Sequence, residues 1–149
     1  MGTHYKGSLK EENALNSYIK LARAYESINS RLYMRLATEG LTESQFFALD
    51  VLYHLGPMNQ KNLGSKLSRS EGNITMVVNN LEKQNLIKKK QSNEDKRVYI
   101  IKLKNEGRKL YEKVFPIFLK SIMKDFDGIK EKEQIEFQEV CKRIGLKTP

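Results

Sequence analysis

The chain has 149 residues, 27 basic and 18 acidic side chains and a formal charge of +9, which makes it one domain, or one domain with dimerising arms, long enough to bury a core. No run of about 18 apolar residues occurs, and the start "MGTHYKGSLKEEN" lacks the apolar stretch of a secretory signal, so a cytoplasmic location is expected. The single cysteine, Cys141, excludes an internal disulfide, and two histidines with one distant cysteine form no convincing metal site.

The charge is unevenly spread. Residues 60–104 hold eleven basic against four acidic side chains, a net +7, whereas the rest of the chain adds only +2. An excess confined to the middle third fits a polyanion-binding surface, although an acidic protein or a lipid surface would also face such a patch.

The first predicted element is a long helix over residues 9–38, where Leu15, Ile19, Ala22, Tyr25, Asn29, Leu32 and Leu36 recur in steps of three or four until Gly40 stops it. In "LTESQFFALDVLYHLGP" Thr42 and Gln45 have capping-box spacing, Phe46, Leu49, Leu52 and Tyr53 form a buried stripe, and Gly56-Pro57 ends the helix. A short helix over 59–66 follows, then a turn and the stretch "SEGNITMVVNNLEKQ", whose start is open because Ser68 and Ser70 are equally good caps. Ile74, Val77, Val78 and Leu81 form the apolar stripe of this fourth helix. Its opposite face carries Asn73, Thr75, Met76, Asn79, Asn80 and Lys83. Asn and Thr are mediocre helix formers, so a face built from them sacrifices local stability unless it has another use.

Two short helices joined by a tight turn suggest a helix-turn-helix. "LIKKK" (86–90) and "VYIIKL" (98–103) then read as two strands joined by "QSNEDKR", which makes the unit a winged helix-turn-helix, and Asn85 sits where a left-handed residue would stop the preceding helix. Helices over 106–126, with Leu110, Val114, Phe118 and Ile122 on one stripe and a kink expected at Pro116, and over 130–145, with Ile135, Cys141 and Ile144 inward, complete the chain. The expected fold is mainly α with a small β-hairpin wing. Residues 1–40 and 105–149 supply dimerisation helices around the winged unit of 41–104, in one integrated domain, because the terminal helices have more apolar stripe than one winged helix can cover.

The segment "LGSKLSRSEGNITMVVNNLEKQNLIKKKQSNEDKRVYIIKLKNEG" (63–107) resembles the MarR family of bacterial transcriptional regulators. It carries the family's Leu-Glu pair as Leu81-Glu82, its strand start as Asn85-Leu86-Ile87, its Asp-x-Arg wing motif as Asp95-Lys96-Arg97 and its following glycine as Gly107. The resemblance implies a homodimer with interlocked terminal helices and two winged helices on a pseudo-palindromic operator in double-stranded DNA. It also implies repression relieved by a small, often phenolic effector, or by oxidation in some branches. "GLTESQFFALDVLYHLGP" and "GNITMVVNNLEK" are similar in particular to a branch controlling resistance to quinones and other aromatic compounds. Two departures are informative. Met76 and Asn80 stand where many relatives have Arg, so no operator sequence carries over, and Leu103-Lys104 replaces the usual Leu-Thr, so Asn105 is expected to cap the next helix.

Base edges in the major groove present donors, acceptors and the thymine methyl, which short polar groups and one thioether match; Asn73, Thr75, Met76 and Asn79 are therefore the expected readers. Ser68, Arg69, Ser70 and Lys83, at the helix margins, suit phosphates. By resemblance Arg97 reaches the minor groove, with Asp95 expected to hold its guanidinium and Lys96 beside it at the wing tip. Lys88, Lys89 and Lys90 could all meet phosphates, but strand alternation sends at least one elsewhere.

His54 is read as a packing or capping residue rather than a sensor, and Cys141 as a buried structural thiol, since the sensing cysteines of relatives lie near the N-terminus. Tyr25, Tyr33, Phe46, Phe47 and Tyr53 could line an effector pocket, but no effector residue is singled out. No cofactor is expected, nor an enzyme: no nucleophile with a base, carboxylate pair or phosphate-cradling loop is evident. The alternative reading is a winged-helix module for RNA or protein.

Overall fold

The computed structural model describes residues 2–67 and 71–146. Among the described residues six helices and three short strands follow in the order α1 (Leu9–Thr38), α2 (Glu43–Leu55), β1 (Met58–Asn59), α3 (Gln60–Lys66), α4 (Glu71–Lys83), β2 (Ile87–Gln91), β3 (Tyr99–Leu103), α5 (Asn105–Asp125) and α6 (Glu131–Gly145). Ser68, Arg69 and Ser70 lie outside the described residues, and with them the choice between the two serine caps.

Local sequence sets the helix ends. Thr42 and Gln45 form the expected reciprocal box, the Thr42 hydroxyl accepting from the Gln45 amide at 3.2 Å and the Gln45 side chain accepting from the Thr42 amide at 2.8 Å. A second box, Ser8 with Glu11, opens α1. Asn59 caps α3 by accepting from the Asn62 amide. Asn85 has φ +62°, the left-handed stop that turns the chain from α4 into β2. At α5 the expectation fails: Lys104, without a side-chain cap, holds the N-cap position, and Asn105 is already helical. The Lys104 ammonium instead donates to the Asn85 side chain, and the Lys104 amide donates to the Leu86 carbonyl at 3.0 Å.

The sheet is three-stranded rather than a bare hairpin. Its order is β1-β3-β2, all antiparallel, with Met58 opposite Ile101 and Ile87 opposite Leu103. The two-residue β1 ties the α2–α3 connection to the wing.

One apolar core joins these parts. Phe46 and Leu49 from α2, Leu63 from α3, Ile74, Val78 and Leu81 from α4, Ile87 and Ile101 from the sheet, and Tyr111 and Val114 from α5 are all buried. The expected α5 stripe omits its most buried large residue. Tyr111 packs against Phe46, Tyr53 and Phe115 and donates its hydroxyl to Asp50 Oδ1 at 2.5 Å, while its oxygen lies 3.0 Å from His54 Nε2. Burial, and then the neighbouring Asp50 carboxylate, push the phenol well above its usual pKa. His54 thus serves packing and hydrogen bonding between α2 and α5. Tyr53 extends the seam, donating to Glu112 and lying under the Arg108 guanidinium.

The terminal helices depart from the inward reading. Leu32 and Leu36 of α1 are buried, but Leu15, Tyr18 and Tyr25 are exposed, and so are Ile135, Phe137, Val140 and Ile144 of α6. Among the described residues nothing covers these faces, which is why a stripe drawn from periodicity comes out on the surface. Cys141 is half-buried beside them, a free thiol. α5 runs through Pro116 without a break.

Gly107 shows how closely the wing and α5 approach. A Cβ there would collide with the Leu86 carbonyl oxygen and press on the Leu103 side chain. In an ordinary helix Gly→Ala stabilises by about 1 kcal/mol. Here Gly107→Ala is expected to destabilise by about 1–3 kcal/mol, the usual range for overpacking, as measured by urea unfolding.

Candidate nucleic-acid interface

α4 is amphipathic in a way that leaves no choice about its orientation. Ile74, Val77, Val78 and Leu81 are buried, and Asn73, Thr75, Met76, Asn79, Asn80 and Lys83 are exposed on the other side. The core therefore turns one continuous face of amides, a hydroxyl and a thioether outward, on a helix of 13 residues whose inner face is fixed.

Two of the expected readers are held by residues from other elements. Gln60, the first residue of α3, donates from Nε2 to Thr75 Oγ1 at 2.8 Å. Lys89 of β2 donates from Nζ to Asn79 Oδ1 at 2.9 Å. The same ammonium lies 2.8 Å from Glu82 Oε2, and the Lys89 amide donates to Glu82 Oε1 at 3.2 Å. Lys89 is thus the lysine that strand alternation turns inward, while Lys88 and Lys90 stay exposed on the other face of the wing. Sequence reasoning missed these braces. The signals present were the register of three consecutive lysines and an acid, Glu82, three residues after Asn79 on the same helix.

The wing loop has its own framework. The Arg97 amide donates to Asp95 Oδ1 at 2.8 Å, the Val98 amide to the Asp95 carbonyl at 2.9 Å and the Ser92 amide to the Val98 carbonyl at 2.8 Å. Gln91 Nε2 donates to the Lys96 carbonyl at 2.5 Å. This corrects the expected role of Asp95: its carboxylate holds the backbone of Arg97 in an Asx-type turn, not the guanidinium. Asp95, Lys96 and Arg97 are all exposed at the tip.

Exposed polar α4 and a basic, hydrogen-bonded wing on one side of a shared core define the class: a winged helix-turn-helix. Comparison with known proteins gives the family. The MarR family model matches residues 41–99. The HTH-type transcriptional regulator MhqR of Bacillus subtilis is 33% identical over 135 residues, covering 91% of this chain and 93% of that protein. Among solved structures, the MarR regulator Sco3205 of Streptomyces coelicolor in complex with DNA superposes with a TM-score of 0.85 at 16% identity, covering 97% of this chain and 91% of that one. Bordetella bronchiseptica BpsR, whose DNA binding is regulated by 6-hydroxynicotinic acid, gives 0.79 at 19% identity over 87% of this chain and 98% of its own. The chain belongs to the MarR family of transcriptional regulators.

Among the described residues there is no cluster of three His, Cys, Asp or Glu fit to hold a metal, and no helix long and apolar enough to cross a membrane.

The Glu82–Lys89 pair makes a pH-dependent tie between α4 and β2. The Lys89 hydrogen bond holds the Glu82 carboxyl below its ordinary value of 4.5. A lowered folded-state pKa means that the stabilisation is present above that ordinary value and is lost as pH falls through the lowered one. Native protein and Glu82→Gln should therefore differ in unfolding free energy at neutral pH and converge as the pH falls below the lowered value, in urea unfolding followed from neutral to acid pH.

Proposed function

We propose that this chain is a homodimeric, effector-responsive repressor that sets α4 into the major groove of each half-site of a pseudo-palindromic operator and Arg97 into the adjacent minor groove. The observation that carries the reading is the fixed outward face of α4, where Asn73, Thr75, Met76 and Asn79 stand exposed over a buried apolar stripe. Lys83 and Lys96 flank that face as phosphate contacts, with Ser68, Arg69 and Ser70 proposed from sequence alone. The exposed α1 and α6 faces support dimerisation through the terminal helices. So does the apolar groove of about 510 Å³ that Leu21, Ile28, Phe126, Ile129 and Phe137 line between them.

For the effector, a cavity of about 440 Å³ lies between α1 and α2, lined by Tyr25, Ser44, Phe47, Asp50, Val51 and Leu67. Two aromatic rings with the charged groups of Glu43, Asp50 and Lys66 around them suit a small phenolic or quinone-like compound, and Leu67 caps the C-terminus of α3, which packs on α4, so an occupant there would bear on the reading helix. Of the other aromatic candidates, Phe46 is core, Tyr53 packs on Tyr111, and Tyr33 points to solvent. BpsR, whose DNA binding is regulated by 6-hydroxynicotinic acid, supports an aromatic effector.

Duplexes selected from a random pool by the native protein should converge on one inverted repeat with half-sites about one helical turn, roughly 34 Å, apart. Arg97→Ala should weaken that enrichment, and affinity should fall by about a thousandfold over a fourfold rise in salt if six to ten phosphates are neutralised. No enriched repeat, or equal recovery by both proteins, would contradict the proposal and favour RNA or protein as the partner.

A further inference from the structure

We propose that Lys89, a wing residue, sets the base preference of Asn79 on α4 by occupying the amide oxygen, so that Asn79 offers its two N–H donors to DNA and favours guanine over adenine. The inference rests on the reading of α4 as the major-groove element.

An asparagine amide has an acceptor end and a donor end, and it reads adenine by using both at once, accepting from N6 and donating to N7. A lysine ammonium has three donors and no acceptor, so whatever it bonds must be an oxygen. With Lys89 Nζ 2.9 Å from Asn79 Oδ1, the acceptor end of the amide is the end bonded to the ammonium, which leaves the two N–H donors for DNA. Guanine presents two acceptors, N7 and O6, along its major-groove edge, which an NH₂ beside a positive charge suits, whereas the N6 donor of adenine would have to share the second lone pair of an oxygen already polarised by a cation.

The brace is not a chance approach of a flexible side chain. The Lys89 ammonium is anchored at 2.8 Å by Glu82 Oε2, and the Lys89 amide is held by the other oxygen of the same carboxylate. Backbone and side chain of Lys89 are thus both fixed to α4, one turn from Asn79. Glu82 also offsets the charge, so Lys89 differs from its neighbours Lys88 and Lys90, whose ammonium groups extend from the opposite face of the strand. Lys89 is accordingly a positioning residue: it acts on DNA through Asn79.

The test is duplex selection with the native protein, Asn79→Ala, Lys89→Met, Lys89→Arg and Glu82→Gln, each checked for folding by thermal unfolding. Asn79→Ala should flatten one position in each half-site, which identifies the base it reads, and the native protein should prefer guanine there. Lys89→Met should lower the guanine-to-adenine ratio at that position by about tenfold and leave the other positions alone. Lys89→Arg, which keeps only donors, should restore guanine; Glu82→Gln, which loosens the anchor without removing the lysine, should shift the ratio in the same direction as Lys89→Met and serves in its place should that variant not fold. A ratio unchanged in Lys89→Met and Glu82→Gln, or a loss of affinity equal across all sequences, would overturn the proposal by making Lys89 a phosphate contact. So would an Asn79→Ala profile with no altered position. Absence of any enriched duplex with the native protein would overturn the major-groove reading itself, and this inference with it.

Discussion

The burial of four side chains, Ile74, Val77, Val78 and Leu81, fixes everything that α4 presents to the outside. A helix with one apolar stripe seated in a packed core has a single low-energy rotation about its axis, and a rotation of even one residue step would bring Asn73 or Asn79 into the apolar interior without partners. The cost of that error is what makes the polar face a defined surface. Asn and Thr, poor in helix propensity, are tolerated there because the stripe beneath supplies the stability that they do not.

Around that constraint the neighbouring elements act as braces. α3 holds Thr75 through Gln60, and β2 holds Asn79 and Glu82 through Lys89. The wing strand is in turn bound to β3, and β3 to β1, so α4, the wing and the connection after α2 share one hydrogen-bonded framework. α5 joins the same framework from behind, through the contact at Gly107 and the Tyr111–Asp50–His54 cluster. A displacement of α5 or of the α1–α2 cavity lining therefore has a mechanical route to α4 through packed side chains. That is the physical requirement for an effector to alter DNA affinity: its site must differ between two arrangements of the element that binds DNA.

Much of this was legible in the sequence where a local rule dominates. The Thr42–Gln45 box, the stop at Asn85 and the inward stripe of α4 follow from capping geometry, left-handed tolerance and helical period, all of which act within a few residues. Features resting on distant partners were not legible. A two-residue strand such as β1 has no period to detect. Tyr111 reads as one more polar-ended aromatic until Asp50 and His54 arrive from another helix. Asp95 has the right spacing to hold Arg97, but only the turn geometry decides whether it takes the amide or the guanidinium. Periodicity reports which residues share a face, not what covers that face, so the stripe of α6 reads as inward while Ile135 and Ile144 stand exposed.

The central claim is that the exposed face of α4 meets base edges. Site-specific cross-linking tests it most directly, with a photoreactive probe attached through Met76→Cys in a chain whose Cys141 is replaced by serine, bound to its selected duplex. Met76 lies at the middle of the face and is 59% exposed. The account requires adducts on bases within each half-site, on major-groove atoms, and their loss when excess unlabelled operator competes. Adducts confined to the sugar-phosphate backbone, or none while a probe on the wing still cross-links, would contradict it and place the recognition surface elsewhere on the molecule.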